Sequence, residues 1–328
     1  MKKFFAAFLA LAMSLVLLAG CSSNGSSSST TSSAPQGPSE PTSASTTGGK
    51  KFGITYWCES EFFVTLAQGI TEAAEAEGNS TIIVDAEQDA AKQIQIVEDF
   101  IAQGVDCVFL NPVDKDAIEP ALQALDEAGI PVINFDASVT NTDLIAAFVG
   151  TNNYQAGVLC AESMLKDFPD GADIAVLNYP SNGAANDREQ GFLDTVKDKG
   201  INVLVTMDAD ANVEGGQSVT SDLLQSYDLD AIFCINDQCG LGAYAAVASA
   251  NKDVKIYGVD GTQEAMDLIP EGVYRMTAAQ SPKKIGAACY ETYKQIEANG
   301  KPDNFTVEVD AYTIDESNVA EYSGKGYQ

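Results

Sequence analysis

Hydrophobic and polar positions divide the 328-residue chain into three stretches of different pattern. Residues 4–19 are almost continuously apolar, and residues 22–50 contain no Val, Ile, Leu, Met or aromatic residue at all. From Lys51 onward, short β-branched runs alternate with stretches whose apolar positions recur every three or four residues, as at Ile94, Val97 and Ile101. The first pattern marks strands and the second marks amphipathic helices. Strands are predicted at 52–57, 81–85, 107–110, 132–135 and 147–149, then at 173–178, 202–207, 231–235, 254–259 and 274–278. Helices are predicted at 63–77, 90–103, 116–128, 155–166 and 241–250, with a further helix at 282–299 and an extended run at 305–314. Such alternation argues for parallel sheets covered on both faces. Ten strands are many for one sheet, and they divide near 150–153 into two sets of similar size. The expected fold class is α/β, with two doubly wound, Rossmann-like lobes.

The apolar stretch follows Lys2 and Lys3 and ends at Leu18-Ala19-Gly20-Cys21. A basic start, an apolar run too short to span comfortably and small residues before a cut site read as a secretory signal over 1–20. The Leu-Ala-Gly-Cys run resembles the lipobox of bacterial lipoproteins, which implies lipidation of Cys21. Residues 21–50 then read as a flexible tether, because a segment so poor in apolar residues cannot offset its ordering entropy. Fully extended, it would reach roughly 100 Å at ~3.4 Å per residue. The expected location is the outer face of the cytoplasmic membrane, held by the lipid anchor alone.

Charge and composition narrow the function. The chain carries 18 basic and 47 acidic residues, a formal charge of −29, which opposes nucleic acid and anionic lipid as partners. It has no histidine, so Ser-His-Asp and Cys-His nucleophile pairs are excluded and the commonest transition-metal ligand is missing. No metal site or cofactor is expected. The cysteines beyond Cys21 are scattered, and Cys107 and Cys234 lie in apolar strand-like runs, so buried thiols are favoured over disulfides. No Gly-rich phosphate loop or nucleophile motif occurs. The remaining enzyme reading pairs carboxylates such as Glu59 and Asp136 as acid and base, and it is the weaker one.

In open α/β sheets, ligands bind outside the carboxyl ends of the strands. The first strand is followed by Ser60, Glu61, Phe62 and Phe63, the third by Asn111-Pro112 and the fourth by Asp136. In the second set the strands end at Asn178, Asn236-Asp237 and Asp260-Gly261-Thr262, with Gln280 after the last. Taken singly, each Asn, Asp or Ser is also a preferred N-cap for the next helix. Taken together, amides and carboxylates offer the paired donors and acceptors that sugar hydroxyls need, and aromatic faces cover their C–H patches. Of Phe62 and Phe63, one is expected to fill the lobe core and the other to cover the ligand.

The runs Phe62-Phe63-Val64, Asn111-Pro112-Val113-Asp114, Asn236-Asp237, Leu241-Gly242-Ala243, Gly258-Val259-Asp260-Gly261-Thr262 and Gln280-Ser281-Pro282 are similar to those of the class I periplasmic sugar-binding proteins, the ribose-binding branch above all. The likeness runs in order from Lys51 to Ile314. It implies two lobes joined by three crossovers, one built from 51–151 plus 281–308 and the other from 152–280 plus 309–328. It implies a non-catalytic, monomeric protein that closes on a small sugar or polyol and delivers it to an ABC permease. A membrane sensor is the alternative partner.

Carried over by position, the resemblance puts Phe62 and Phe63 as stacking residues and Asn111, Asp136, Asn236, Asp260 and Gln280 on ligand hydroxyls. Some positions depart from the family pattern. Ala137 and Asn186 stand where the family has arginines, Ala211 stands where it has an aromatic, and Ser60 or Glu61 where it has an asparagine. Arg188 matches a basic position that the family does not use for ligand. Trp57, Glu59 or Tyr179 are candidate replacements. The departures also admit a furanone signal, a nucleoside or a small cation as ligand. A cytoplasmic regulator on the same lobes would need a DNA-binding headpiece, where this chain carries a leader.

Overall fold

A computed structural model describes residues 49–327. The signal segment, Cys21 and most of the tether lie outside the described residues.

The first lobe is a parallel sheet with helices on both faces. Its strands are β1 (Lys51–Tyr56), β2 (Ser80–Asp85), β3 (Cys107–Leu110), β4 (Val132–Phe135) and β5 (Ala147–Thr151), joined by helices α1 (Glu61–Glu75), α2 (Ala90–Ala102) and α3 (Glu119–Glu127). The second lobe repeats the plan. It has β6 (Ala172–Asn178), β7 (Ile201–Asp208), β8 (Ala231–Cys234), β9 (Lys255–Asp260) and β10 (Tyr274–Ala279), with α4 (Asn153–Asp167), α5 (Gly183–Val196), α6 (Val213–Ser226), α7 (Asp237–Ala250) and α8 (Gln263–Leu268). Helix α9 (Pro282–Asn299) returns to the first lobe, followed by β11 (Thr306–Val309), β12 (Tyr312–Asp315) and α10 (Val319–Tyr322). Strand order is β11-β5-β4-β3-β1-β2 in one sheet and β12-β10-β9-β8-β6-β7 in the other.

Three sequence expectations are adjusted. The run at 305–314 is two strands in different sheets: β11 lies parallel to β5, and β12 lies antiparallel to β10. Helix α3 begins at Glu119 rather than 116, because Asp114 Oδ1 accepts from the amides of Asp116 and Ala117 in a preceding turn and Pro120 starts the helix. Helix α7 begins at Asp237, four residues before the periodic run, since Asn236 caps it and Gly240 and Gly242 carry no apolar signal.

Each sheet buries apolar side chains on both faces. Phe52, Phe109, Ile133 and Phe135 pack against α1 and α9, while Val108, Leu110 and Val132 pack against α2 and α3. In the second lobe, Phe192 of α5 stacks on Phe233 of β8 at 4.3 Å. Three helix pairs cross at glycines. Gly69 and Gly286 join α1 to α9, Gly157 and Gly191 join α4 to α5, and Gly216 and Gly242 join α6 to α7. The six cysteines of the described residues are free thiols, five of them buried and Cys58 half-buried.

The chain passes between lobes after β5, after β10 and between β11 and β12. The crossings are tied side by side. Asn152 donates its backbone N–H to Val309 O at 2.9 Å and its Nδ2 to Asp310 Oδ1 at 3.0 Å. Thr151 Oγ1 donates to Gln280 Oε1 at 2.6 Å.

Candidate ligand-binding cleft

On the first lobe, the polypeptide leaves β1 at Trp57 and enters α1 through Ser60, whose Oγ accepts from the Phe63 amide at 3.4 Å. That cap fixes two adjacent rings. Phe63 is buried and stacks on Tyr56 at 5.7 Å, while Phe62 is half-buried and meets Phe63 edge-on at 5.2 Å. Trp57 closes the group, edge-on to Phe63 at 6.4 Å. At the end of β3, Asn111 is fully buried: its Oδ1 accepts from the Trp57 amide, and its Nδ2 donates to Phe135 O at 3.1 Å and Asp136 Oδ2 at 3.3 Å. Asp136 itself has φ +62°, an unfavourable value for a residue with a Cβ.

On the second lobe, Asn236 caps α7 by accepting from the Cys239 amide at 2.9 Å and donates Nδ2 to Ala211 O at 2.9 Å. Capping and lining the cleft are here one job. Asp260, with φ +131°, is held from two sides. Arg188 donates from a terminal guanidinium nitrogen to Asp260 Oδ1 at 3.0 Å, and Gln280 donates Nε2 to the same oxygen at 2.8 Å. Arg188 is in turn fixed by Asn153 Oδ1 at 2.8 Å and Ile235 O at 2.9 Å. Behind the turn, Asp237 is fully buried rather than a surface cap. It accepts from the amides of Gly261 and Thr262 and from the hydroxyls of Thr262, Tyr274 and Thr277, and so sets the 260–262 turn.

These walls enclose a cavity of about 440 Å³, a size typical of small-molecule sites. Burial pushes the Asp136 carboxyl up to about 6, with Arg188 pulling it down and Asp260 pushing it further up. Burial also raises Asp260, against the guanidinium of Arg188 and the amide of Gln280. Two carboxylates therefore share the field of one guanidinium, an arrangement unfavourable to an anion. A flank of the second lobe carries another concavity of about 480 Å³, walled by the Asp167–Arg275 ion pair among others and away from the strand ends.

Phe62, Phe63, Asn111, Asp136, Asn236, Asp260 and Gln280 all line the one cavity, together with Trp57 and Ala137. Ser60, Glu61 and Asn186 do not. Ser60 is the cap, Glu61 is an exposed first-turn residue, and Asn186 accepts from Asn178 Nδ2 and donates to Pro180 O. The cavity also contains Pro112, Asn182 and Tyr327. Asn182 was legible as the N-cap of α5, whereas nothing in the local pattern around Tyr327 points to a site.

Comparison with known proteins agrees with this geometry. Residues 53–302 match the periplasmic binding protein domain. The ribose import binding protein of Bacillus subtilis is 33% identical over 302 residues, covering 90% of this chain and 93% of that one. A solved Mycobacterium smegmatis ABC transporter solute-binding protein with bound glycerol is 31% identical, with a TM-score of 0.73 over 85% of this chain and 98% of that one. A Bacillus halodurans solute-binding protein with bound myo-inositol is 27% identical, with a TM-score of 0.73 over 85% and 99%. The two parallel-sheet lobes, the cleft at their strand ends and these matches together show that this chain belongs to the periplasmic binding protein family.

Proposed function

We propose that this protein is a lipid-anchored solute-binding protein that captures a small neutral carbohydrate or polyol between two closing lobes and hands it to an ABC importer. The observation that carries the reading is the composition of the cavity. Carboxylates and amides from both lobes meet aromatic faces in one space of about 440 Å³. Hydroxyls both donate and accept, so one sugar satisfies Asp136 and Asp260 as acceptors and Asn236 as a mixed partner. The relatives named for ribose, glycerol and myo-inositol support this ligand class. Binding without turnover is part of this reading, supported by relatives named as import-binding and solute-binding proteins. A small cation is the second reading, supported by the two carboxylates that face a single guanidinium.

Calorimetry of residues 49–328 against D-ribose, D-allose, D-fructose, myo-inositol and glycerol tests the ligand class. One strong binder is expected, and no heat from any of them would sink the carbohydrate reading. With that binder, Asp136→Ala and Asn236→Ala should each lose about 1–3 kcal/mol, because ligand hydroxyls are left unpaired. The anchor is tested by feeding labelled palmitate to the producing cell. Label on the wild type and none on Cys21→Ser is expected, and label on both would refute lipidation at Cys21.

A further inference from the structure

The first lobe gives the cavity three aromatic rings, Trp57, Phe62 and Phe63, beside Asn111 and Asp136. The strand-end residues that line it from the second lobe, Asn182, Asn236 and Asp260, are all polar. One ring reaches the cavity from that side, and it is Tyr327. The segment that carries it starts on the second lobe. Gln263 of α8 donates Nε2 to Ser323 Oγ at 3.0 Å and accepts from the Gly324 amide at 2.7 Å, while the Lys325 amide donates to Tyr322 O at 3.1 Å. Gly324 at φ +76° and Gly326 at φ +67° then take left-handed conformations that turn the chain toward the first lobe. There the Tyr327 ring meets Phe62 edge-on, with centroids 5.7 Å apart and planes at 87°, a favoured aromatic geometry. A side chain anchored in one lobe thus touches the other across the cleft. The cavity of about 440 Å³ is measured with this ring as part of its lining, so Tyr327 is a wall and not a plug.

We infer that Tyr327 is a ligand-contacting residue, the aromatic wall that the second lobe supplies to a bound sugar or polyol. The inference rests on the carbohydrate reading above. The phenol also suits a hydroxyl-rich guest. Burial and the nearby carboxylates of Asp260, Asp237, Glu61 and Glu264 all oppose its ionisation, so its O–H stays a donor.

Two measurements on residues 49–328 test it. In calorimetry with D-ribose, D-allose, D-fructose and myo-inositol, Tyr327→Ala should weaken the sugars that the wild type binds by about tenfold, equal to about 1.4 kcal/mol. Tyr327→Phe should lose less, since it keeps the ring. Wild-type affinity in Tyr327→Ala overturns the inference. Independently, 3-fluorotyrosine at position 327 should shift its fluorine resonance in the ligand-free protein when Phe62→Ala is introduced, and an unmoved signal overturns the placement of the ring. If the wild type binds none of these four compounds and does not bind glycerol either, the carbohydrate reading fails and the ligand class of this inference falls with it. The fluorine signal then decides alone whether Tyr327 walls the cavity.

Discussion

Asp136 combines a left-handed backbone with a raised carboxyl, two costs at a single residue that the hydrogen bond from Asn111 offsets only in part. Its folded-state value of about 6 lies above the ordinary carboxylate value of 3.8, so the folded protein holds this proton more tightly than the unfolded chain. Stability therefore falls as pH rises from about 4 through about 6 and stays low above that. Asp136→Asn should remove the cost. Thermal melts should show a gain of about 1–2 kcal/mol at pH 7, discounted from the full shift because the side chain is half-buried, and little gain at pH 4. A gain of equal size at both pH values would mean that ionisation is not the cause. On the proposed function, the carboxylate offsets this cost by accepting two ligand hydroxyls where an amide would accept one.

At the scale of elements, lobe 2 holds its site through the α4–α5 crossing. A Cβ on Gly157 would stand 1.9 Å from Arg188 O and 2.8 Å from the Phe192 amide nitrogen, both backbone atoms that cannot swing aside. Helix propensity alone makes Gly→Ala favourable by about 1 kcal/mol. Here the clash decides the sign. Gly157→Ala should destabilise by about 2–3 kcal/mol, as overpacking does, and should weaken ligand binding as well, since the backbone pushed away carries Arg188, the partner of Asp260. Denaturant melts with calorimetry check both, and a stabilised variant would refute the crossing. Element boundaries were largely readable because strands and helices announce themselves by period. The strand ends gave the hydrogen-bonding residues for the same reason, since the rule for open sheets needs only strand positions. What escaped was set by long-range contacts. Arg188 was legible only as a basic position that the family does not use for ligand, yet it is buried between Asn153 and Asp260, which lie 35 residues before it and 72 after it. Residues 310–311, where β11 gives way to β12, hold a single Asp and neither Gly nor Pro, too weak a turn signal to show the split of that run between sheets. Tyr327 takes its place from Gln263 and Phe62, neither of them a neighbour in sequence.

For the whole molecule, the three crossings lie together and are laced by Thr151–Gln280 and Asn152–Asp310, so the lobes have one shared hinge. A ligand that touches both lobes favours their approach by its differential affinity for the closed state. Small-angle scattering should show a smaller radius of gyration with saturating sugar, and no change would separate binding from closure. Gln280 touches both the crossings and the cleft. It bonds Thr151 in the hinge with one end of its amide and Asp260 in the cleft with the other. The thiols add a practical consequence. Among the described residues only Cys58 is not buried, and it follows Trp57 on the cleft wall. Residues 49–328 thus come with a single native attachment point for a thiol-reactive fluorophore, one residue along the chain from Trp57 of the cavity wall. Its thiol is pushed up by burial and by Asp85, so coupling should be slow at neutral pH and quicken as the buffer is made more alkaline. The labelled protein would be an optical sensor for its own cargo, made without introducing any cysteine.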